Sequence, residues 1–87
     1  MVSSTLTVKN EQGIHMRPAG LIAGVSKKFK GTEITLATAD KTVKASLMQI
    51  MAAGIKCGTD VTISCSGPDE EAALAELVQM FEEGFGE

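Results

Sequence analysis

Pro18 restricts the fold of this chain strongly, because it limits where the first helix can begin. A proline fits the first turn of a helix, where its missing N–H would have no partner, and it destabilises a helix further in. Apolar residues follow it at helical spacing, at Ile22, Val25 and Phe29. The sequence therefore predicts a helix that begins at or just after His15 and faces the core with one stripe.

His15 is the only histidine of the chain, and Arg17 follows it by two residues. The first N–H groups of a helix have no partner within the helix and carry partial positive charge, so they attract anions. Arginine binds phosphate through a planar fork of donors, and imidazole is a nucleophile. We therefore predict that His15 is a phosphoryl acceptor. On this pattern alone, a histidine that merely caps the helix or is partly buried is an equally good interpretation.

Metal binding at His15 is not expected, because a metal site needs three or four ligands and no usual Cys/His spacing surrounds this residue. The two cysteines, Cys57 and Cys65, fit no CxxC or zinc pattern. We interpret both as small hydrophobic residues in a reducing compartment. No cofactor is predicted.

Hydrophobic periodicity predicts four strands and three helices in the order β-α-β-β-α-β-α. The predicted strands cover residues 2–9, 32–37, 41–44 and 60–66. The predicted helices begin at or just after His15, at the Ser46 N-cap and after Pro68, and they end before Gly31, Gly54 and Gly84. This order predicts a single α+β domain over residues 1–87, with helices on one face of an antiparallel or mixed sheet.

The predicted core is aliphatic, since the chain has no tryptophan, no tyrosine and three phenylalanines. In the last helix the predicted apolar stripe consists of Leu74, Leu77, Val78 and Phe81. Ser46 and Gln49 match the capping box, in which serine accepts a hydrogen bond from the backbone three residues on and glutamine reaches back. Ser46 is therefore predicted to be the N-cap of the second helix.

Charge and hydropathy exclude several classes of function. The formal charge is −3 and the pI is near 5.1, which gives no support for nucleic-acid binding. No apolar run approaches the roughly 18 residues that span a bilayer, and the chain does not start like a signal peptide. We therefore expect a cytoplasmic protein without membrane insertion.

Three segments carry a family resemblance: Gly13-Ile14-His15-Met16-Arg17-Pro18-Ala19, Ser46-Leu47-Met48 through Met51-Ala52-Ala53-Gly54-Ile55, and Thr62-Ile63-Ser64 through Gly67. With them the chain resembles HPr, the histidine-containing phosphocarrier family of the bacterial sugar phosphotransferase system, over essentially its whole length. The resemblance implies an open-faced β-sandwich, in which three helices cover one face of a four-stranded antiparallel sheet.

The resemblance also implies a function as a carrier, not as an enzyme that turns over. Enzyme I, charged from phosphoenolpyruvate, would phosphorylate His15 at Nδ1, and the carrier would pass the group to IIA domains of sugar permeases. Arg17 would assist at the phosphoryl group. The alternatives are a nitrogen-related or regulatory HPr paralogue and a plain α+β binding module in which His15 is incidental.

Ser46 matches the serine that HPr kinase/phosphorylase modifies in some relatives, which creates a corepressor for catabolite control protein. Ala45 and Gln49 flank Ser46 and differ from the residues that such relatives often have at these two positions. Met16, next to His15, likewise stands where relatives usually have a small residue. The implied docking residues are Met16, Gly20, Leu47, Met48 and Met51. A core position is the stronger expectation for Met51 and an equally good one for Leu47 and Met48. We expect a monomer.

Overall fold

The computed structural model describes residues 1–9 and 11–86. Within them the chain forms the predicted order of elements, which confirms the α+β class. The elements are β1 (Val2–Thr7), α1 (Met16–Lys28), β2 (Glu33–Ala37), β3 (Thr42–Lys44), α2 (Leu47–Ala53), β4 (Asp60–Ser66), α3 (Glu70–Glu82) and a 3-10 turn (Gly84–Gly86).

The strands form one antiparallel sheet in the order β1-β4-β2-β3. The predicted hairpin of β2 and β3 is confirmed, with Leu36 opposite Val43. β1 is shorter than predicted because regular pairing ends at Thr7. Val8 is nevertheless buried, and its N–H donates to the Thr59 carbonyl at 3.0 Å. β1 therefore lies at one edge of the sheet, with β4 as its strand neighbour.

The two faces of the sheet differ as the alternation of residues predicts. One face is buried under the helices, where Ile34, Leu36 and Ile63 belong to the same core cluster as the buried residues of α1 and α3. The other face carries hydroxyl side chains, of which Thr5 and Thr62 are hydrogen-bonded across β1 and β4 at 2.9 Å between their Oγ1 atoms. This arrangement is the predicted open-faced sandwich, with all three helices on one face.

The apolar stripe of α3 differs in part from the prediction. Leu77 and Phe81 are fully buried as expected, and so is Ala73, whereas Leu74 and Val78 are half-buried. The buried line follows a spacing of four residues, and the two half-buried side chains lie beside it, next to the sheet edge at β1. Leu74 and Val78 are only partly covered because the sheet ends under that side of the helix, although Leu74 still packs against the core.

The two cysteines also differ from each other. Cys65 is buried in β4, and burial, followed by the nearby Glu70 carboxylate, raises the pKa of its thiol. It is the small hydrophobic residue that was predicted. Cys57 is exposed, so that interpretation is wrong for it: it lies in the loop before β4, where its thiol is 3.8 Å from the Lys9 carbonyl oxygen.

Candidate functional site

The segment that leads into α1 is held against the loop that follows α2. The Ile14 N–H donates to the Ile55 carbonyl oxygen at 2.9 Å, and the Ile14 side chain is buried. Gly13 has a φ of +71°, and a Cβ atom built on it would lie 2.5 Å from the Ile55 oxygen and 2.8 Å from the Lys56 Cα. Only glycine fits both the conformation and the space at this position. This contact determines where the next residue, His15, emerges.

His15 is the N-cap of α1, in extended conformation, with no side-chain capping hydrogen bond. Its ring is half-buried, and Nε2 lies on the buried side. The imidazole therefore does not serve as a side-chain cap of α1. Because Nε2 is shielded from solvent, a bulky reagent in solution cannot approach this nitrogen.

The start of α1 favours a negatively charged group. Met16 and Arg17 are the first two helical residues, whose N–H groups have no acceptor within the helix, and Pro18 has no N–H. The Ala19 N–H donates to the His15 carbonyl oxygen at 3.0 Å, which is the first hydrogen bond of the helix. The first turn contains no acidic residue. The helix start therefore presents two backbone donors and partial positive charge.

The Arg17 side chain is exposed at the same helix start. Among residues 1–9 and 11–86, no carboxylate forms an ion pair with it. Its guanidinium is therefore available to an incoming anion, and it needs no rearrangement of an internal salt bridge to bind one.

Ser46 is the N-cap of α2, as predicted, and its Oγ accepts a hydrogen bond from the Gln49 N–H at 3.3 Å. The second half of the capping box differs from the usual motif. The Gln49 Oε1 accepts from the Lys44 N–H at 2.8 Å, two residues before the N-cap, while the Ser46 N–H donates to the Lys44 carbonyl at 2.8 Å. The glutamine thus ties α2 to the end of β3. The Ser46 side chain is exposed.

The structure does not bring Ser46 next to His15. Ser46 shares a surface hollow of about 330 Å³ with Ser26 and Lys27, which lie in the last turns of α1. Along a helix axis, the eleven residues from His15 to Ser26 span about 16 Å. Lys27 is a cation beside Ser46 that sequence reasoning missed, because nothing in the sequence indicates which part of α1 faces the start of α2.

The predicted docking residues lie on the outer surfaces of α1 and α2, which pack against each other. Met16 and Met48 are the most exposed, at 67% and 83%, and Leu47 and Met51 are about two-fifths exposed. The core position expected for Met51 is therefore wrong. Gly20 is exposed on α1, and so is its neighbour Leu21, which the sequence analysis missed. Leu21 does not share the helical spacing of the buried residues of α1, and this spacing is the sequence signal that would have predicted its exposure.

The part of the chain that the structure describes contains no group of three or more His, Cys, Asp or Glu residues able to hold a metal ion. It also contains no helix long and apolar enough to cross a bilayer. The site at the start of α1 thus consists of an imidazole, a guanidinium and two backbone N–H groups.

Comparisons with known proteins agree with this geometry. Residues 2–83 match the family model described as "PTS HPr component phosphorylation site". The chain is 33% identical over 87 residues to the phosphocarrier protein HPr of Treponema pallidum, an alignment that covers 100% of this chain and 99% of that protein.

Two solved structures from Thermoanaerobacter tengcongensis are similar over the whole chain, each with 40% sequence identity. A crystal structure of HPr-C-His matches with a TM-score of 0.93 and 98% of that chain covered. A crystal structure described as an HPr dimer matches with a TM-score of 0.76 and 100% of that chain covered. The expected monomeric state of the present chain stays a prediction.

Proposed function

The chain belongs to the HPr family of the phosphotransferase system, whose members are phosphocarriers and not catalysts, and on that premise we propose that His15 is its phosphoryl acceptor. Phosphorylated enzyme I donates the group, and IIA domains of sugar permeases receive it. We propose that the exchange takes place in the cytoplasm. The observation that carries the proposal is the position of His15: its half-buried ring stands at the N-cap of α1, beside two helix N–H groups and the exposed Arg17.

The transfer is a displacement at phosphorus. The lone pair of Nδ1 attacks the phosphoryl group, a P–N bond forms, and the bond from phosphorus to the donor breaks, with its electron pair leaving on the donor. Attack by Nδ1 requires the neutral ring tautomer that carries its proton on Nε2. The burial of Nε2 supports this assignment, because a bulky donor cannot approach that nitrogen. Transfer to an acceptor reverses the same step.

The surroundings of His15 stabilise charge and do not supply a second acid or base. Phosphoryl transfer depends mostly on positioning and on neutralising the charge of the equatorial oxygens. The Met16 and Arg17 amides and the Arg17 guanidinium are groups that donate to such oxygens. Further catalytic groups come from the partner proteins in this proposal.

Replacing Arg17 with alanine should slow phosphorylation of His15 by enzyme I about tenfold, a loss smaller than for a buried donor because the guanidinium is exposed to solvent. The rate of phosphohistidine formation under single-turnover conditions measures it. Lys30→Ala is the matched control, because it removes an exposed cation just beyond the other end of α1. Equal rates for the two variants would show that Arg17 acts only through the net charge of the protein.

Partners dock, in this proposal, on the apolar surface formed by Met16, Gly20, Leu47, Met48 and Met51, to which we add Leu21. Exposed apolar side chains that lie together on a small protein are typical of interaction surfaces. Methionine side chains adapt to differently shaped partners, as a carrier with more than one partner requires. The surface extends from the start of α1, next to His15, to α2.

Phosphorylation of Ser46 is the regulatory part of the proposal, with HPr kinase/phosphorylase as the modifying enzyme and catabolite control protein as a further partner. The serine is exposed and shares its hollow with Lys27, which favours an added phosphate electrostatically. Since Ser46 lies beside the end of α1 distant from His15, we propose that the phosphate acts by adding negative charge to the docking surface.

Two variants separate this charge effect from helix capping. Asp and Asn are both good N-cap residues, so Ser46→Asp and Ser46→Asn should unfold at similar denaturant concentrations. We expect Ser46→Asp to accept phosphate from enzyme I about fivefold more slowly than Ser46→Asn, because only the aspartate adds charge to the surface. Equal rates would contradict this mechanism. Separately, treatment with the kinase should give an acid-stable phosphate that Ser46→Ala lacks, and the absence of such a product from the unaltered protein would exclude the regulation.

The central experiment is incubation with enzyme I and phosphoenolpyruvate. An acid-labile, base-stable phosphate on the protein is expected, and its absence would contradict the proposed function.

A further inference from the structure

A second candidate binding surface lies where β1 and α3 border each other, and we call it the β1–α3 groove. It is an open groove of about 890 Å³, lined on one side by Val2, Ser3 and Ser4 of β1. The other side is α3, from Glu71 to Glu82, with the adjoining Glu83. None of its lining residues belongs to α1, to α2 or to the His15 segment. The surface is therefore separate from the proposed phosphoryl site.

The floor of the groove is apolar and its rim is acidic. Leu74 and Val78, which are half-buried residues of α3, form part of the floor. Glu71 and Glu82 lie on the same side of the helix, one before and one after these residues, and Glu83 adds a third carboxylate. The carboxylates of Glu71 and Glu82 thus lie on both sides of Leu74 and Val78. This arrangement favours a partner that has apolar side chains between two basic side chains.

The acidic character extends over the whole C-terminal segment. The sequence from Asp69 onward contains seven acidic residues and no lysine or arginine, whereas the preceding 68 residues contain four acidic and eight basic residues. The groove is therefore lined on one side by the acidic part of the chain, in which Glu70 is paired with the N-terminal ammonium group and Glu76 with Lys28. Such a surface attracts basic partners from a distance as well as in contact.

The position of β1 in the sheet favours a partner segment in extended conformation. It is the edge strand of the sheet, next to β4. The outer side of an edge strand presents backbone N–H and C=O groups to which an extended peptide can add as a further strand.

A second copy of this chain, joined edge to edge in a symmetric dimer, does not fit the groove. The twofold axis of such a dimer would bring two acidic α3 helices together, and the like charges would repel each other. We propose that the β1–α3 groove binds an extended basic segment of a different protein, whose backbone pairs with β1 and whose apolar side chains contact Leu74 and Val78.

The dimensions define a probe. Glu71 and Glu82 are eleven residues apart, which is about 16 Å along a helix. An extended chain covers that distance in about five to six residues, with alternate side chains on one face. The peptide acetyl-Lys-Thr-Val-Thr-Val-Thr-Lys-amide places two valines on one face, between two lysines about 20 Å apart whose flexible side chains can reach inward to the glutamates. The same peptide with glutamate for both lysines is its control.

The experiment titrates each peptide into the ¹⁵N-labelled protein and records amide chemical shifts. The lysine peptide should shift amides of residues 2–4 and 71–83, and the glutamate peptide should not. A variant with Glu71, Glu82 and Glu83 all changed to glutamine should bind the lysine peptide about tenfold more weakly. Glu11→Gln, Glu33→Gln and Asp40→Asn together form the matched control, because they remove three exposed acidic charges outside the groove.

Several results would overturn the proposal: equal binding of both peptides, unchanged affinity of the groove variant, or shifts centred on α1 and α2. If sedimentation analysis finds a dimer, and residues 2–4 are protected in that dimer, the groove would be assigned to self-association instead. Because none of these measurements involves phosphate, they are independent of the function proposed for His15.

Discussion

Alanine at position 15 is expected to abolish phosphorylation by enzyme I and phosphoenolpyruvate altogether. The chain contains one histidine, so the variant has no other imidazole that could accept the group. The unaltered protein should carry a phosphate that is lost in acid and retained in base. Intact-mass spectrometry before and after acid treatment measures both properties.

The fold should survive this substitution, which makes the loss interpretable. His15 makes no side-chain capping hydrogen bond, and its extended backbone conformation is one that alanine also adopts, so we expect α1 to form in the variant. An unchanged circular dichroism spectrum and denaturation midpoint would serve as controls. A phosphate that persists in His15→Ala would show that another residue is the acceptor and would contradict the proposed function.

Alanine at position 13 is expected to reduce the free energy of unfolding by about 2–4 kcal/mol, the sum of a left-handed backbone penalty and an overpacking penalty. The φ of Gly13 is +71°, and the new Cβ would lie 2.5 Å from the Ile55 carbonyl oxygen, a backbone atom that cannot move aside on its own. Relief of this contact displaces the segment that carries His15. Urea denaturation measures the stability loss, and the rate of His15 phosphorylation measures the displacement.

Gly58→Ala is the matched control for this prediction. Gly58 also has a positive φ, +85°, but a Cβ atom on it would meet nothing within 4 Å. It should therefore show only the backbone penalty of about 1 kcal/mol and should retain the phosphorylation rate. Equal stability losses for both variants would show that the close approach of the new Cβ to the Ile55 carbonyl oxygen has no energetic cost.

The architecture could be predicted from periodicity because each element has one buried and one exposed side. β4 is the clearest example: Val61, Ile63 and Cys65 alternate with polar residues, and its predicted bounds are those observed. The prediction was less accurate where an element lies at the edge of the sheet. Leu74 and Val78 have the hydrophobicity of core residues, and only the position of α3 relative to β1 leaves them half-exposed.

The candidate site could be predicted only where the relevant groups are close in sequence. His15, Arg17 and Pro18 lie within one helical turn, so their arrangement follows from local rules of helix structure. The proximity of Lys27 to Ser46, and the exposure of Leu21 and Met51, depend instead on how α1 and α2 pack. Helix packing angles vary too much between proteins for a single sequence to specify such contacts.

Under the proposed function, Pro18 limits how strongly the start of α1 holds a phosphoryl group. Any other residue there would add a third N–H to the two of Met16 and Arg17, and each additional charge-assisted hydrogen bond would hold the phosphoryl oxygens more firmly. A firmer hold would deepen the free-energy minimum of the loaded protein relative to its donor and its acceptor. If His15 carries the phosphoryl group as proposed, the proline withholds one donor and so favours onward delivery over retention.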